Sequence, residues 1–264
     1  MPFSFIGVAP HSPFLLPTIG LEKINQLTNT KIALEELEQE LYLAKITTLI
    51  ILTAHGEAED QTILVHGAAN LLGDLRLFGD VTTVYNWLGH PALATKLTHH
   101  ARFDPPLFFT TSQAEVDYGV TVPLSYLSAH SPSLKILVLS VPNQITLEQT
   151  KLAANQICET VSHERERIGI LSSLDLSHSL STNAPNGYQS EGEIFDRTIR
   201  TALANRCLTD IKELPETTVQ KAASCSWTSL QLFSEIIGEH SAPWQELSYE
   251  APFGIGHLTG FFHL

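Results

Sequence analysis

The sequence predicts an α/β protein with a mostly parallel central sheet flanked by helices, and three observations carry that expectation. Short, nearly continuous apolar runs, FSFIGVA from Phe3, TTLIILT from Thr47, KILVLSV from Lys135 and RIGILSSL from Arg167, read as strands buried on both faces. A segment of helical period joins the first two, completing a strand, helix, strand unit whose crossover should be right-handed. Three of the runs also end in a loop that delivers a histidine: His11 between Pro10 and Pro13, His55 before Gly56, and His178 in the segment DLSHS. In open α/β sheets the carboxyl ends of the strands are the edge where ligands bind.

Each element follows in chain order. After the first strand a proline-punctuated loop leads to a helix expected over Leu21 to Ala44. Leu34, Leu37, Leu41 and Leu43 should form its buried side, with Glu35, Glu36, Glu38 and Glu40 in water. The strand Thr47 to Thr53 comes next. From Gln61 to Trp87 the pattern changes to short alternating segments, TILVHG, DLRLFG and VTTVYNW, which read as a small set of strands or a lobe inserted after the second main strand. PALATKLTHHARF, from Pro91, and Gly119 to His130 read as helices, the latter despite its β-branched residues. The strand Lys135 to Val141, a helix over Leu147 to Arg165 and the strand Ile168 to Leu174 complete the central unit. Ser181 to Tyr188 is a polar loop with the composition of a mobile flap over the site. Helices over Glu191 to Arg206, Thr217 to Ser224 and Trp227 to Ile237 precede two strand-like pieces, Trp244 to Tyr249 and Ile255 to Phe262.

The 264 residues show no internal repeat, low-complexity segment or linker, so one domain over residues 1–264 is expected. Fifteen basic side chains against 28 acidic ones give a formal charge of -13, which repels phosphate backbones and argues against a nucleic-acid partner. Cys158, Cys207 and Cys225 are too few for a disulfide framework and lack metal-finger spacing. No apolar run is long enough to cross a bilayer, and the amino terminus has no basic leader, so no membrane partner and a cytoplasmic location are expected. Monomer and oligomer both remain open.

Imidazole is the commonest protein ligand for zinc, copper, nickel and iron, and it must be held at a fixed angle. A loop just beyond a buried strand supplies that rigidity, so His11, His55 and His178 are the candidates for a shared site. Taken singly, each could instead cap its strand or serve a turn. The remaining histidines, His66 and His257 among them, lie in helices and turns without this context and read as structural. There is no HExxH helix and no Gly-rich phosphate loop. A third ligand is open between Cys225, at the mouth of a helix where amides and dipole should stabilise a thiolate, and the acidic residues Glu57, Glu59 and Asp60.

The ordered series PHSPFLLPTIG, LIILTAHG, DYGVTVPL, SSLDLSHSL, ASCSW and FGIGHLTGFF, spanning almost the whole chain, resembles the class III extradiol ring-cleavage dioxygenase superfamily. Within it, the likeness lies toward the catalytic chains of these enzymes and the Memo-like members. It implies a single α/β domain with a non-haem metal site, His11 and His55 as iron ligands, and His178 as the acid and base. The dioxygenases carry a glutamate as third ligand; the Memo-like branch has cysteine in that region, where Cys225 stands. They also carry histidine between the Asp and Gly of DYG, so Tyr118 replaces a residue that faces bound oxygen or substrate. The resemblance thus implies Fe(II)-dependent oxidative cleavage of a small catechol-type aromatic, with Tyr118, Tyr188 and Trp227 as aromatic residues that could line the ring pocket. A His, His, Cys set also suits zinc or copper. The alternatives are a Memo-like metal-binding protein acting through a partner or redox chemistry, and a zinc hydrolase.

Overall fold

Leu49 and Ile51 enter one apolar core and Ile50 and Leu52 the other, and all four are buried, so their strand is covered on both faces. Ile136 and Val138 against Leu137 and Leu139 repeat the pattern. The computed structural model describes residues 2–56, 58, 61–99, 106–238 and 242–264, and it forms three layers with helices on both sides of one sheet. Its strands are β1 Phe5–Ala9, β2 Thr48–Thr53, β3 Ile63–His66, β4 Asn70–Gly73, β5 Tyr85–Gly89, β6 Phe108–Thr111, β7 Glu115–Val116, β8 Lys135–Ser140, β9 Ile168–Ser173, β10 Trp244–Glu250 and β11 His257–Phe262. Its helices are α1 Pro17–Gly20, α2 Thr28–Leu43, α3 Pro91–His99, α4 Tyr118–Leu127, α5 Leu147–Ser162, α6 Ser190–Asn205, α7 Thr209–Lys212, α8 Glu216–Ala222 and α9 Trp227–Ile237. Among the described residues, no helix is long and apolar enough to cross a membrane.

The strand order is β10-β11-β1-β9-β2-β8-β5-β4-β7, with β3 and β6 branching from β8. Neighbours within the β1, β9, β2, β8 series are parallel, whereas β11 and β10 close one edge antiparallel. At the other edge β8 forks: its start pairs with β5 through Leu88 and Gly89, and its end pairs with β3 through Leu64 and Val65. One face is covered by α5, α6 and α9 through Ala153, Ile157, Phe195, Ile199 and Phe233, the other by α2 and α4 through Leu34, Leu37, Val120 and Leu124. Full burial of each larger apolar side chain stabilises the fold by about 1.5–3 kcal/mol.

Four expectations need correction. Leu21–Leu27 is a 3-10 segment rather than the first turns of α2. Leu43 is 67% exposed and Glu38 is buried, its carboxylate answered by the His130 backbone N–H at 3.3 Å and the His130 ring at 3.1 Å. DLRLFG forms no strand; Asp74 accepts from the Arg76 backbone and guanidinium, and Arg76–Phe78 turns as a 3-10 helix. Ser181 to Tyr188 folds into turns through the Ala184 N–H to the Ser181 carbonyl and the Gly187 N–H to the Ala184 carbonyl, and it does not line the cavity beside His55.

Register positions the chemistry. Ala9 lies beside Ser173, Leu52 beside Ser172 and Thr53 beside Ser140, so the carboxyl ends of four strands are level. Because β9 separates β1 from β2 and adjacent strands are about 4.8 Å apart, side chains two residues past each flanking strand can meet above the end of β9.

Candidate metal centre

His11 is held from three sides. Its backbone N–H donates to Asp175 Oδ1 at 3.2 Å, and its Nδ1 lies 3.0 Å from Ser173 Oγ. The Ser173 hydroxyl spends its proton on the Gly119 carbonyl, so its oxygen accepts from His11 Nδ1–H. That fixes the tautomer and leaves Nε2 with an unprotonated lone pair. Burial lowers the His11 pKa further, against the opposing charge of Asp175, so the ring is neutral.

The His11 lone pair meets His55. The two Nε2 atoms are 3.1 Å apart with the rings nearly perpendicular, an approach that needs a proton or a cation between them. His55 is lowered to about 3, first by burial and then by His11. Gly56 follows at φ +107, and a Cβ there would stand 2.6 Å from Ser140 Oγ, so the chain can leave His55 this way only at glycine. Tyr118 Oη lies 3.0 Å from His55 Nε2, and burial with nearby Cys225 raises its phenol, keeping it a donor. Tyr118 opens α4 behind Asp117, whose carboxylate accepts from Gly119 N and is raised by burial to about 6. At Gly119 a Cβ would press on Thr53 Oγ1 and the His55 ring, so the DYG segment needs its glycine for close approach.

Cys225 sits in the connection between α8 and α9, with its Sγ 3.4 Å from His11 Nε2. Ser224 Oγ donates to the Asp175 carbonyl and accepts from Ser226 N, which holds that connection against the end of β9. Burial, followed by the charge of Asp175, pushes the Cys225 thiol up to about 12, against the stabilised thiolate expected at a helix mouth. Donor atoms of His11, His55 and Cys225 all lie within 4.8 Å of one another.

His178 is adjacent but is not part of that trio. Its backbone N–H donates to Ala222, its Nε2 is buried without a hydrogen bond, and burial lowers its pKa. It lies close enough for its charge to act on both His11 and His55. Asp175, overlooked in the sequence, accepts from His257 Nδ1 at 3.1 Å and faces His11 Nε2 at 3.8 Å. Burial works to raise its pKa, but His11 and His257 hold it well below the usual carboxylate range. His257 and Ser173 were also missed, although Asp175 and His257 stand inside the segments SSLDLSHSL and FGIGHLTGFF. Trp227 packs on Phe195 in the core and exposed Tyr188 bonds Glu193, so only Tyr118 of the three aromatic candidates lines the cavity. Glu57, Glu59 and Asp60 lie outside the described residues.

The donor set fits a metal ion. With metal–nitrogen bonds of about 2.0–2.1 Å and metal–sulfur bonds of about 2.3 Å, tetrahedral neighbours are separated by roughly 3.3 Å for N and N and 3.6 Å for N and S. The two separations made by His11, 3.1 and 3.4 Å, lie within a few tenths of those values, while the third pair, His55 and Cys225, lies within 4.8 Å. Beside the trio opens a cavity of about 540 Å³ lined by His55, Tyr118, His66, Arg76, Glu115 and Asp117.

The family model described as the catalytic LigB subunit of aromatic ring-opening dioxygenase matches residues 6–257. The chain belongs to this LigB family. The family is typically metal-dependent, in keeping with a His, His, Cys group that could bind an ion. Among curated relatives, Protein CA_C1420 of Clostridium acetobutylicum is 23% identical over 257 residues, covering 94% of this chain and 55% of its own length. The chain thus spans about half the length of that relative. Among solved structures, the uncharacterized protein JW3007 of Escherichia coli K12 superposes with a TM-score of 0.66 at 14% identity, over 98% of this chain and 99% of that one, which shows a shared fold.

Proposed function

We propose that the chain is a metal-dependent extradiol-type dioxygenase that opens a catechol-type ring beside its hydroxyl pair. The observation that carries this reading is the pair of imidazole Nε2 atoms facing each other at 3.1 Å, with Cys225 beside them and a cavity adjoining His55. His11, His55 and Cys225 would hold the ion, and Fe(II) bound there supplies Lewis acidity toward the catechol and the redox capacity that dioxygen chemistry requires.

The surrounding residues supply the rest. His178 adjoins the donor trio rather than lining the cavity beside His55; kept neutral by burial and with Nε2 uncommitted, it takes a proton from a phenol oxygen held at the ion and later returns it. Asp175, ionised and within electrostatic reach of His178, stabilises the imidazolium that this transfer creates. Tyr118, its phenol kept protonated, donates a hydrogen bond to oxygen in the cavity. Burial of His11, Asp175 and His257 limits water on that side.

The test is anaerobic loading with Fe(II), followed by oxygen and a panel of catechols. Coloured ring-fission products and oxygen uptake are expected, with kcat lowered by about 10²–10⁴ in His178→Ala. One observation favours a second reading, a metal-binding protein of Memo-like type without ring cleavage: the third donor is a sulfur, which suits zinc or copper. No uptake with any catechol, together with tight zinc or copper binding lost in Cys225→Ser, would select it.

A further inference from the structure

Among the described residues, the cavity beside His55 is lined by three carboxylates, Asp74, Glu115 and Asp117, against the guanidinium of Arg76. Arg76 is already engaged: its Nε reaches Asp74 Oδ1 at 2.9 Å and its Nη2 reaches Oδ2 at 2.6 Å. Such a two-point pair neutralises the cation. Glu115 is exposed on β7 and makes no ion pair or side-chain hydrogen bond among the described residues. Asp117, raised to about 6, is largely ionised at neutral pH. The lining histidine His66 adds no compensating charge, since burial lowers its pKa.

His66 provides an independent sign that this space receives a ligand. It is 4% exposed at the end of β3, lines the cavity, and bonds Ser140 Oγ through Nε2 at 3.3 Å. Its Nδ1 has no hydrogen-bond partner. The Gln113 backbone on the same wall acts on this ring and answers it in part, and a guest with polar edges would complete the match.

Resting on the ring-cleavage reading above, we propose that this cavity selects its aromatic substrate by charge, admitting catechols that carry an amine and rejecting those that carry a carboxylate, with Glu115 as the determinant. An ammonium group on the ring substituent meets an excess of negative charge, three carboxylates against one guanidinium that Glu115 also acts on, whereas a carboxylate meets repulsion and finds Arg76, the one permanently cationic side chain among the described lining residues, already paired with Asp74. His66 contacts the uncharged part of the guest.

The test uses zinc-loaded protein, in which no turnover occurs, and calorimetric titration with two probes of equal length, an aminoethyl catechol and a carboxyethyl catechol. At neutral pH and low ionic strength the amine should bind at least about tenfold more tightly, a difference of about 1.4 kcal/mol. The contrast should shrink at high salt and fall to about threefold in Glu115→Gln. Equal affinities, tighter binding of the carboxylate, or an unchanged contrast in Glu115→Gln would overturn the charge selection while leaving the catechol reading in place. Binding of neither probe would overturn both.

Discussion

An imidazole is a dependable ligand when its second nitrogen is committed elsewhere, and Ser173 makes that commitment for His11. Ser173→Ala should leave the fold intact, because the lost hydroxyl bridges only His11 and the Gly119 carbonyl, yet weaken zinc binding about 10–100-fold. Competition against a chromophoric chelator measures this, and unaltered affinity would mean that Ser173 does not orient the ring. At this scale the sequence was partly legible. His11, His55, His178 and Cys225 are residue types with few ordinary reasons to follow buried strands or precede a helix. Ser173 and Asp175 were hidden because serine and aspartate at a strand end are routine turn chemistry, and the Asp175 to His257 bond spans 82 positions that no local pattern links. His66 was read as structural for the same reason, since its exposure to the cavity depends on how β3 docks against β8.

Elements were legible in proportion to how little their burial depended on distant partners. Strands β1, β2, β8 and β9 are buried on both faces, so nearly every residue carries the signal, whereas β3 to β7 are short pieces of the same sheet whose pairing is set by the fork at β8. Helix α2 shows both outcomes. Its central leucines follow the helical period into the core, but Leu43, at its last position, turns outward, and Glu38 takes an inward place beside His130. Leu37→Ala should therefore cost about 2–5 kcal/mol in denaturant unfolding, through lost burial and the cavity left behind. Leu43→Ala should fall within about 0.5 kcal/mol of the parent. Comparable losses at the two positions would show that the inner face of α2 has been assigned wrongly.

Across the whole molecule, the candidate donors come from parts of the chain that only folding unites: His11 and Cys225 are 214 positions apart yet 3.4 Å from atom to atom. An ion that binds the native trio and not the unfolded chain must therefore act as a global clamp. At free zinc a thousand times Kd the stabilisation is about 4 kcal/mol, and at about 2–4 °C per kcal/mol for a chain of this size the midpoint should rise by roughly 8–16 °C. The clamp also has a pH sign. Burial pushes the Cys225 thiol up to about 12, so at any working pH zinc must displace its proton, and lower pH opposes binding. On that account alone affinity falls about tenfold per pH unit of acidification, and the zinc-induced stabilisation falls by about 1.4 kcal/mol. Thermal melts of parent and Cys225→Ser at two pH values, each with and without zinc, separate the possibilities. The parent should show a large zinc shift that grows with pH, and the serine variant a small shift that does not. Equal shifts in both proteins would remove Cys225 from the ligand set and leave two histidines as too weak a clamp to carry the proposed chemistry.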